Sequence, residues 1–295
     1  MKIIKKILLI MGILLLFCGG VVIYSYHDQD QLSYELYHLH SGKVAAGETI
    51  RVVALSDLHN KEFGEGNADL IEAVARMEPD LILIAGDMVD YSSTDTSIAL
   101  NLCLELQNIA PLYYGFGNHE SRLTYVDGIR YDQQLRAAGI HLLINEAETL
   151  TIKDTAVDVG SVATNEGEEY DTYASDFVKA FEAYEPDSHL KLMISHFPSL
   201  YYEKMKDARF DLGVCGHLHG GQVRLPIVGG VYSERDHKIE LFPKYCYGKF
   251  ELENCTIIVS RGLGNHEILP RINNRPEITV IDINARVDDA EVADT

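Results

Sequence analysis

Asp57-Leu58-His59, Gly86-Asp87, Gly117-Asn118-His119-Glu120, Ser195-His196 and Gly216-His217-Leu218-His219 bring aspartate, asparagine and histidine to five separate points of the chain. Taken singly, each pattern is commonplace: Asp-x-His arises by chance, and Gly-Asp is most often a turn. Together they form a set of oxygen and imidazole donors without thiolate, the mixture that suits Mn, Fe or Zn and does not choose among them. Glycines beside three of the five let the backbone bend close to a bound ion. The chemistry they suggest is metal-dependent.

Each cluster follows a run that reads as a β-strand. Arg51–Leu55 leads to Asp57, Asp80–Ala85 to Asp87, Leu112–Gly115 to Asn118, Leu190–Ser195 to His196 and Leu212–Cys215 to His217. Further strands are expected at Ile140–Ile144, Ala156–Val162, Thr256–Ser260 and Ile278–Ile283, and helices at Ala68–Met77, Thr96–Gln107, Tyr131–Ala138 and Tyr173–Tyr184. Alternation of short β-branched runs with amphipathic ones argues for an α/β domain. Between Leu142 and Val162 the rhythm is that of hairpins, so the sheet is expected to be mixed. The catalytic domain is placed at residues 50–284, after a lead-in at 28–49 and before an acidic tail at 285–295 that reads as solvated.

With 295 residues, 46% hydrophobic and 24% charged, the chain is too long for a small disulfide scaffold and too apolar to stay disordered. Its net charge of -20 opposes attraction to a nucleic-acid backbone, so nucleic acid is not an expected partner. Of five cysteines, Cys103, Cys215, Cys246 and Cys255 stand singly with no C-x-x-C spacing and read as free buried thiols. Ile7 to Tyr26 carry no charge, and at about 1.5 Å per residue such a run spans roughly 30 Å, the thickness of a bilayer core. Lys2, Lys5 and Lys6 precede it and Asp28, Asp30 and Glu35 follow, which favours a signal anchor over residues 1–27 with a cytoplasmic N-terminus and an extracytoplasmic domain. The alternative is a cleaved signal with Ile7–Phe17 as its apolar core and Cys18, Gly19 and Gly20 at the cut, which would release the domain.

The order D-x-H, G-D, G-N-H-E, H and G-H-x-H resembles the calcineurin-like metallophosphoesterases, over roughly Ile50 to Ile283. The runs GHLHGGQVRLP and SRGLGNHEILPR, with the N-terminal span, resemble a membrane-associated bacterial branch that includes lipid-linked nucleotide sugar pyrophosphatases. The resemblance implies a four-layer fold, a mixed β-sheet sandwich flanked by helices. It implies two divalent ions, one held by Asp57, His59 and His219 and the other by Asn118, His196 and His217, with Asp87 bridging. A carboxylate can bind two cations roughly 3.5 to 4 Å apart, and an amide oxygen adds a ligand without charge. A bridging water would then supply hydroxide for in-line attack on phosphorus. His119 resembles the family histidine that protonates the leaving oxygen or stabilises charge on the phosphoryl group.

The substrate implied is a phosphoester or pyrophosphate, lipid-linked such as UDP-2,3-diacylglucosamine, with a soluble mono- or diester as the alternative and an inactive scaffold as the remaining class. Arg122, Arg261 and Arg271 are candidates for phosphate because guanidinium binds it bidentately. A second GNHE, Gly264–Glu267, falls outside the motif order, and its His266 reads as a loop residue near the pocket mouth. His38 and His40 read as structural, and Asn60 and Gln222 as neighbours of the ligands. The sequence leaves the oligomeric state open.

Overall fold

Helix α1 (Lys2–Asp28) leads into β1 (Ser33–Ser41) and β2 (Thr49–Leu55), the first strands of a computed structural model describing residues 2–163, 176–181, 187–205, 208–235, 238–266 and 269–286. There follow α2 (Ala68–Arg76), β3 (Leu81–Ala85), α3 (Ser97–Leu106), β4 (Leu112–Gly115), the single turn α4 (Asn118–Ser121), α5 (Tyr131–Ala137) and β5 (His141–Leu143). The second half contributes β6 (Glu146–Ile152), β7 (Thr155–Val162), β8 (Leu190–Ser195) and β9 (Leu212–Cys215). Two small hairpins come next, β10 (Arg224–Leu225) with β11 (Gly229–Gly230) and β12 (Tyr232–Arg235) with β13 (Lys238–Leu241). The remaining strands are β14 (Gly248–Glu251), β15 (Thr256–Val259) and β16 (Glu277–Ala285).

Two six-stranded sheets result, ordered β1-β16-β2-β3-β4-β5 and β14-β15-β9-β8-β7-β6. Each is mixed, as the hairpin rhythm suggested. In the first, β2 to β5 are parallel and β16 antiparallel to β2; in the second, β7, β8, β9 and β15 are parallel between antiparallel edges.

Period-two alternation assigns the faces. Val52, Ala54, Leu81 and Leu83 point into a core shared with Val157, Val159, Leu192 and Val214 of the other sheet. Val53, Leu55, Ile82 and Ile84 pack instead with Leu70, Val74, Leu102 and Leu135 of α2, α3 and α5. Val178 and Phe181, from helical residues 176–181, cover the outer face of the second sheet with Met193 and Ile257. The layers are helix, sheet, sheet, helix. Every expected strand and helix is found with shifts of a residue or two at the ends; the part of Tyr173–Tyr184 beyond 176–181 lies outside the described residues, as does the tail from Val287. Cys103, Cys215, Cys246 and Cys255 are free and buried.

The domain boundaries shift. Ser33–Ser41, expected in the lead-in, is a nine-residue edge strand paired in parallel with β16, and Ala285, expected in the tail, ends β16 opposite Ser41. His38 and His40 are exposed on that edge, with His38 Nδ1 4.0 Å from Asp282. Among the described residues, one helix, α1, is long and apolar enough to cross a membrane.

Candidate metal centre

Parallel strands deliver the donors to one end of the sandwich. Leu55, Ala85, Gly115, Ser195 and Cys215 end β2, β3, β4, β8 and β9, and the seven donor residues lie within four residues of those ends. Asp57, His59, Asp87, His217 and His219 all have left-handed backbones, with φ of 53°, 49°, 55°, 72° and 47°. Such a conformation costs about 1–2 kcal/mol per residue for a side chain other than glycine, and five together mark a site where positioning outweighs strain. Lacing between loops holds them: Asp57 N–H donates to Gly86 O at 3.0 Å, His59 N–H to Asp87 O at 3.1 Å and Leu263 N–H to Ser56 O at 3.0 Å.

The ligating atoms fall into three groups, each within 4.8 Å of one another: Asp57 with His59 and His219, Asp87 with His196 and His217, and His59 with His119 and the exposed His266, so that two groups contain an aspartate and the third shares His59 with the first. Asp57 Oδ1 accepts from His217 N–H at 3.0 Å, and Asp87 Oδ1 accepts from His119 N–H at 2.9 Å, while Asp87 Oδ2 lies 3.0 Å from His196 Nε2. His196 Nδ1 sits 2.7 Å from Ala85 O, which aims Nε2 inward. His59 Nδ1 and Nε2, His219 Nε2, Asp57 Oδ2 and Asn118 Oδ1 are buried without hydrogen-bond partners. Buried polar atoms are rarely left so, and bare donors of this kind fit bound cations. Space is equally specific. A Cβ on Gly117 would stand 2.1 Å from Asp87 Oδ1, and one on Gly216 2.3 Å from Asp57 Oδ2.

Burial holds His59 and His219 well below the usual histidine range, and His217 is pushed down to about 3, so all three are neutral and able to ligate. Burial raises Asp57. It also opposes ionisation of Asp87, but the imidazoles of His196 and His119 outweigh it and hold that carboxyl low.

Glu120 organises the loops. Its Oε2 accepts from Asp87 N–H (2.8 Å) and Gly117 N–H (2.9 Å), and its Oε1 from Met88 N–H (2.8 Å) and Tyr114 O–H (2.7 Å). Burial, with Asp87 beside it, pushes its carboxyl up to about 7. His119 is buried, accepts from Tyr91 N–H at Nδ1 (3.2 Å), and places Nε2 3.8 Å from Asp87 Oδ2.

The arginines differ from expectation. Arg271 is 1% exposed and donates to Gly264 O (2.7 Å) and Arg261 O (2.6 Å), with Nη2 3.0 Å from His219 Nδ1. Arg261 is bonded to Glu277 (2.5 Å) and Glu35 (3.2 Å). Both brace the loop after β15, because the buried Glu277, the exposed Glu35 and backbone carbonyls take up their donors. Arg122 holds its guanidinium 4.5 Å over the Tyr91 ring, with Nε 3.8 Å from Asp127 Oδ2. His266, from the second GNHE, does reach the centre: its ring lies 4.6 Å from that of His59 and 5.0 Å from that of His119. Gln222 and Asn60 are adjacent, Gln222 bonded to Asn265 (2.8 Å) and Asn60 N–H to Met88 O (3.1 Å).

Residues 50–221 match the family model described as calcineurin-like phosphoesterase. The phosphodiesterase YaeI of Escherichia coli (strain K12) is 30% identical over 238 residues, 79% of this chain and 82% of that protein. A transmembrane protein with metallophosphoesterase domain from Bos taurus is 26% identical over 250 residues, 80% of this chain and 53% of that one. Among solved structures, the chain is similar to a dimetal phosphatase from Danio rerio, with a TM-score of 0.36 and 11% identity over 72% of this chain and 88% of that one. A family match over more than half of its length and a relative of this identity and coverage place the chain in the calcineurin-like phosphoesterases, phosphoester hydrolases that use two divalent metal ions.

Proposed function

We propose that this chain is a membrane-anchored hydrolase of phosphodiester or pyrophosphate bonds, acting on a lipid-linked substrate of which UDP-2,3-diacylglucosamine is the type. One ion is held by Asp57, His59 and His219, the other by Asn118, His196 and His217, with Asp87 facing both. The observation that carries this is the pair of donor groups, each within 4.8 Å, at the ends of parallel strands. Bound there, the ions supply Lewis acidity toward phosphoryl oxygens and acidify a water.

The chain's own residues do the rest. His119 takes a hydrogen bond at Nδ1 from Tyr91 N–H, so the neutral ring carries its proton on Nε2, the nitrogen facing the centre. Burial keeps it neutral despite Asp87 and Asp90 nearby. It serves as a hydrogen-bond donor to charge on the phosphoryl group, the second of the two roles the resemblance allows. Glu120 fixes the Asp87 and Asn118 loops relative to each other.

The similarity to the phosphodiesterase YaeI supports a diester. Helix α1 and the transmembrane-named relative support membrane association, and the lysines before α1 support a cytoplasmic N-terminus with the domain outside. Detergent-solubilised full-length protein loaded with Mn should show higher kcat/KM on UDP-2,3-diacylglucosamine than on a bis-aryl phosphodiester or an aryl monoester. Equal or lower efficiency on the lipid-linked compound would remove the substrate assignment and leave the hydrolase.

A further inference from the structure

The anchor helix joins the domain at the end that bears the metal centre. Ser33 pairs with Glu277 at the start of β16, and β16 runs antiparallel to β2 with Thr279 opposite Ala54, so β1 begins level with the end of β2. Side chains repeat the message. Arg275 Nε donates to Asp28 Oδ1 at 2.7 Å, and Lys61, two residues past His59, pairs with Asp30 at 2.9 Å and with Gln29 O. Val21, Val22, Ser25 and Asp28, one face of α1, are wholly or partly covered, while nearly all of the helix before them is exposed. A bilayer around α1 therefore lies over the metal-bearing end of the sandwich.

That end also carries an exposed apolar surface. Leu225, Ile227 and Val228 of the first hairpin and Ile239, Leu241 and Phe242 of the second stand in solvent, Ile227 completely. The first hairpin springs from the His219–Gln222 turn and is held at its base by Arg224 N–H to Ile272 O (2.9 Å) and Asn273 Nδ2 to Arg224 O (3.2 Å). Three residues after Ile272, Arg275 grips the end of α1, so hairpin and helix end are fastened to one short segment. Cations stand beside tyrosines here, the Arg224 guanidinium 3.5 Å over the Tyr247 ring and Lys244 Nζ 4.8 Å from the Tyr245 ring centroid, in a chain of net charge -20. Exposed apolar side chains beside tyrosines and cations suit the boundary between headgroups and acyl chains, and cations suit anionic headgroups.

We propose that the two hairpins are a membrane-docking surface resting in the headgroup layer of the bilayer that holds α1, so that the metal centre opens onto membrane phosphoesters. This rests on the membrane reading of α1 given above. It explains why a site in so acidic a chain would meet phosphate: the substrate arrives along the membrane, past a cationic rim.

The chain contains no Trp, so one introduced indole reports its own surroundings. Full-length Ile227→Trp, reconstituted in phosphatidylcholine–phosphatidylglycerol vesicles, is compared with Glu253→Trp, an exposed position in the turn before β15 at the far end of the sheets. A face buried about 5–10 Å into the interface brings the indole to the acyl chains, so brominated lipid should cut Ile227→Trp emission about twofold and leave Glu253→Trp unchanged. Unchanged emission from both, with the protein still floating with vesicles after an alkaline wash, overturns the docking surface and spares the anchor. Protein stripped off by that wash overturns the anchor and the docking together.

Discussion

Glu120 shows how a residue that need not touch metal can decide whether a centre forms. Replacing it with Gln substitutes an amide NH2 for one oxygen. If that group faces Tyr114, the hydroxyl can turn and accept, but Met88 N–H is left without a partner; on the other side, Asp87 and Gly117 N–H both lose theirs. A buried donor left unmet costs about 1–3 kcal/mol, so Glu120→Gln should lower denaturant stability by that much, and equal stability would contradict the role. His119→Ala should keep its metal, since His119 belongs to neither of the two donor groups that contain an aspartate, and should lose about 10²–10³ in kcat, the usual effect of removing one preorganised donor. Because the ring donates a hydrogen bond without giving up its proton, the loss should be similar for aryl and alkyl leaving groups; a much larger loss on alkyl esters would restore the general-acid role. The donors were legible in the sequence because Asp, Asn and His carry their chemistry in their type. Arg261 and Arg271 were misread because an arginine's type does not reveal the buried Glu277 or Gly264 carbonyl that occupies it. His266 fits its reading as a loop residue near the pocket mouth, since it is exposed, and only tertiary packing of the loop after β15 brings it beside His59.

Strands were legible where both faces are buried. Leu81–Ala85 is apolar throughout and Leu190–Ser195 apolar apart from Lys191 and Ser195, both are buried along their whole length, and their ends hardly moved from expectation. Edge strand β1 was missed for the converse reason: Ser-Tyr-Glu-Leu-Tyr-His-Leu-His-Ser is largely exposed, so little separates it from a loop until β16 is seen beside it. The loops that follow the strands depend on glycine for space more than for conformation. Gly117 has an ordinary φ of -99°, yet a Cβ there would collide with Asp87. Gly117→Ala should therefore displace the aspartate between the two donor groups and strip metal from the protein while far-UV circular dichroism stays near wild type. Full metal occupancy in that variant would show that the β4–α4 turn does not set the position of Asp87.

At the scale of the molecule, sheet register and anchor fit one arrangement: parallel strands gather the donors at one end, and β1 brings the chain in from α1 at that same end. The proposed orientation, with the domain outside, rests on the lysine bias before α1. Protease added to intact spheroplasts should digest it, whereas a domain protected until lysis would reverse the orientation and remove the reason for an envelope substrate. Neither sidedness nor substrate bears on the chemistry, which in the proposed account rests on two cations among Asp57, His59, Asp87, Asn118, His196, His217 and His219. Elemental analysis of purified full-length protein, with phosphodiesterase activity followed during chelation, tests that directly. Close to two transition-metal ions per chain, with activity lost in chelator and regained on adding Mn, is the result expected; protein without bound metal that is fully active in chelator would contradict it.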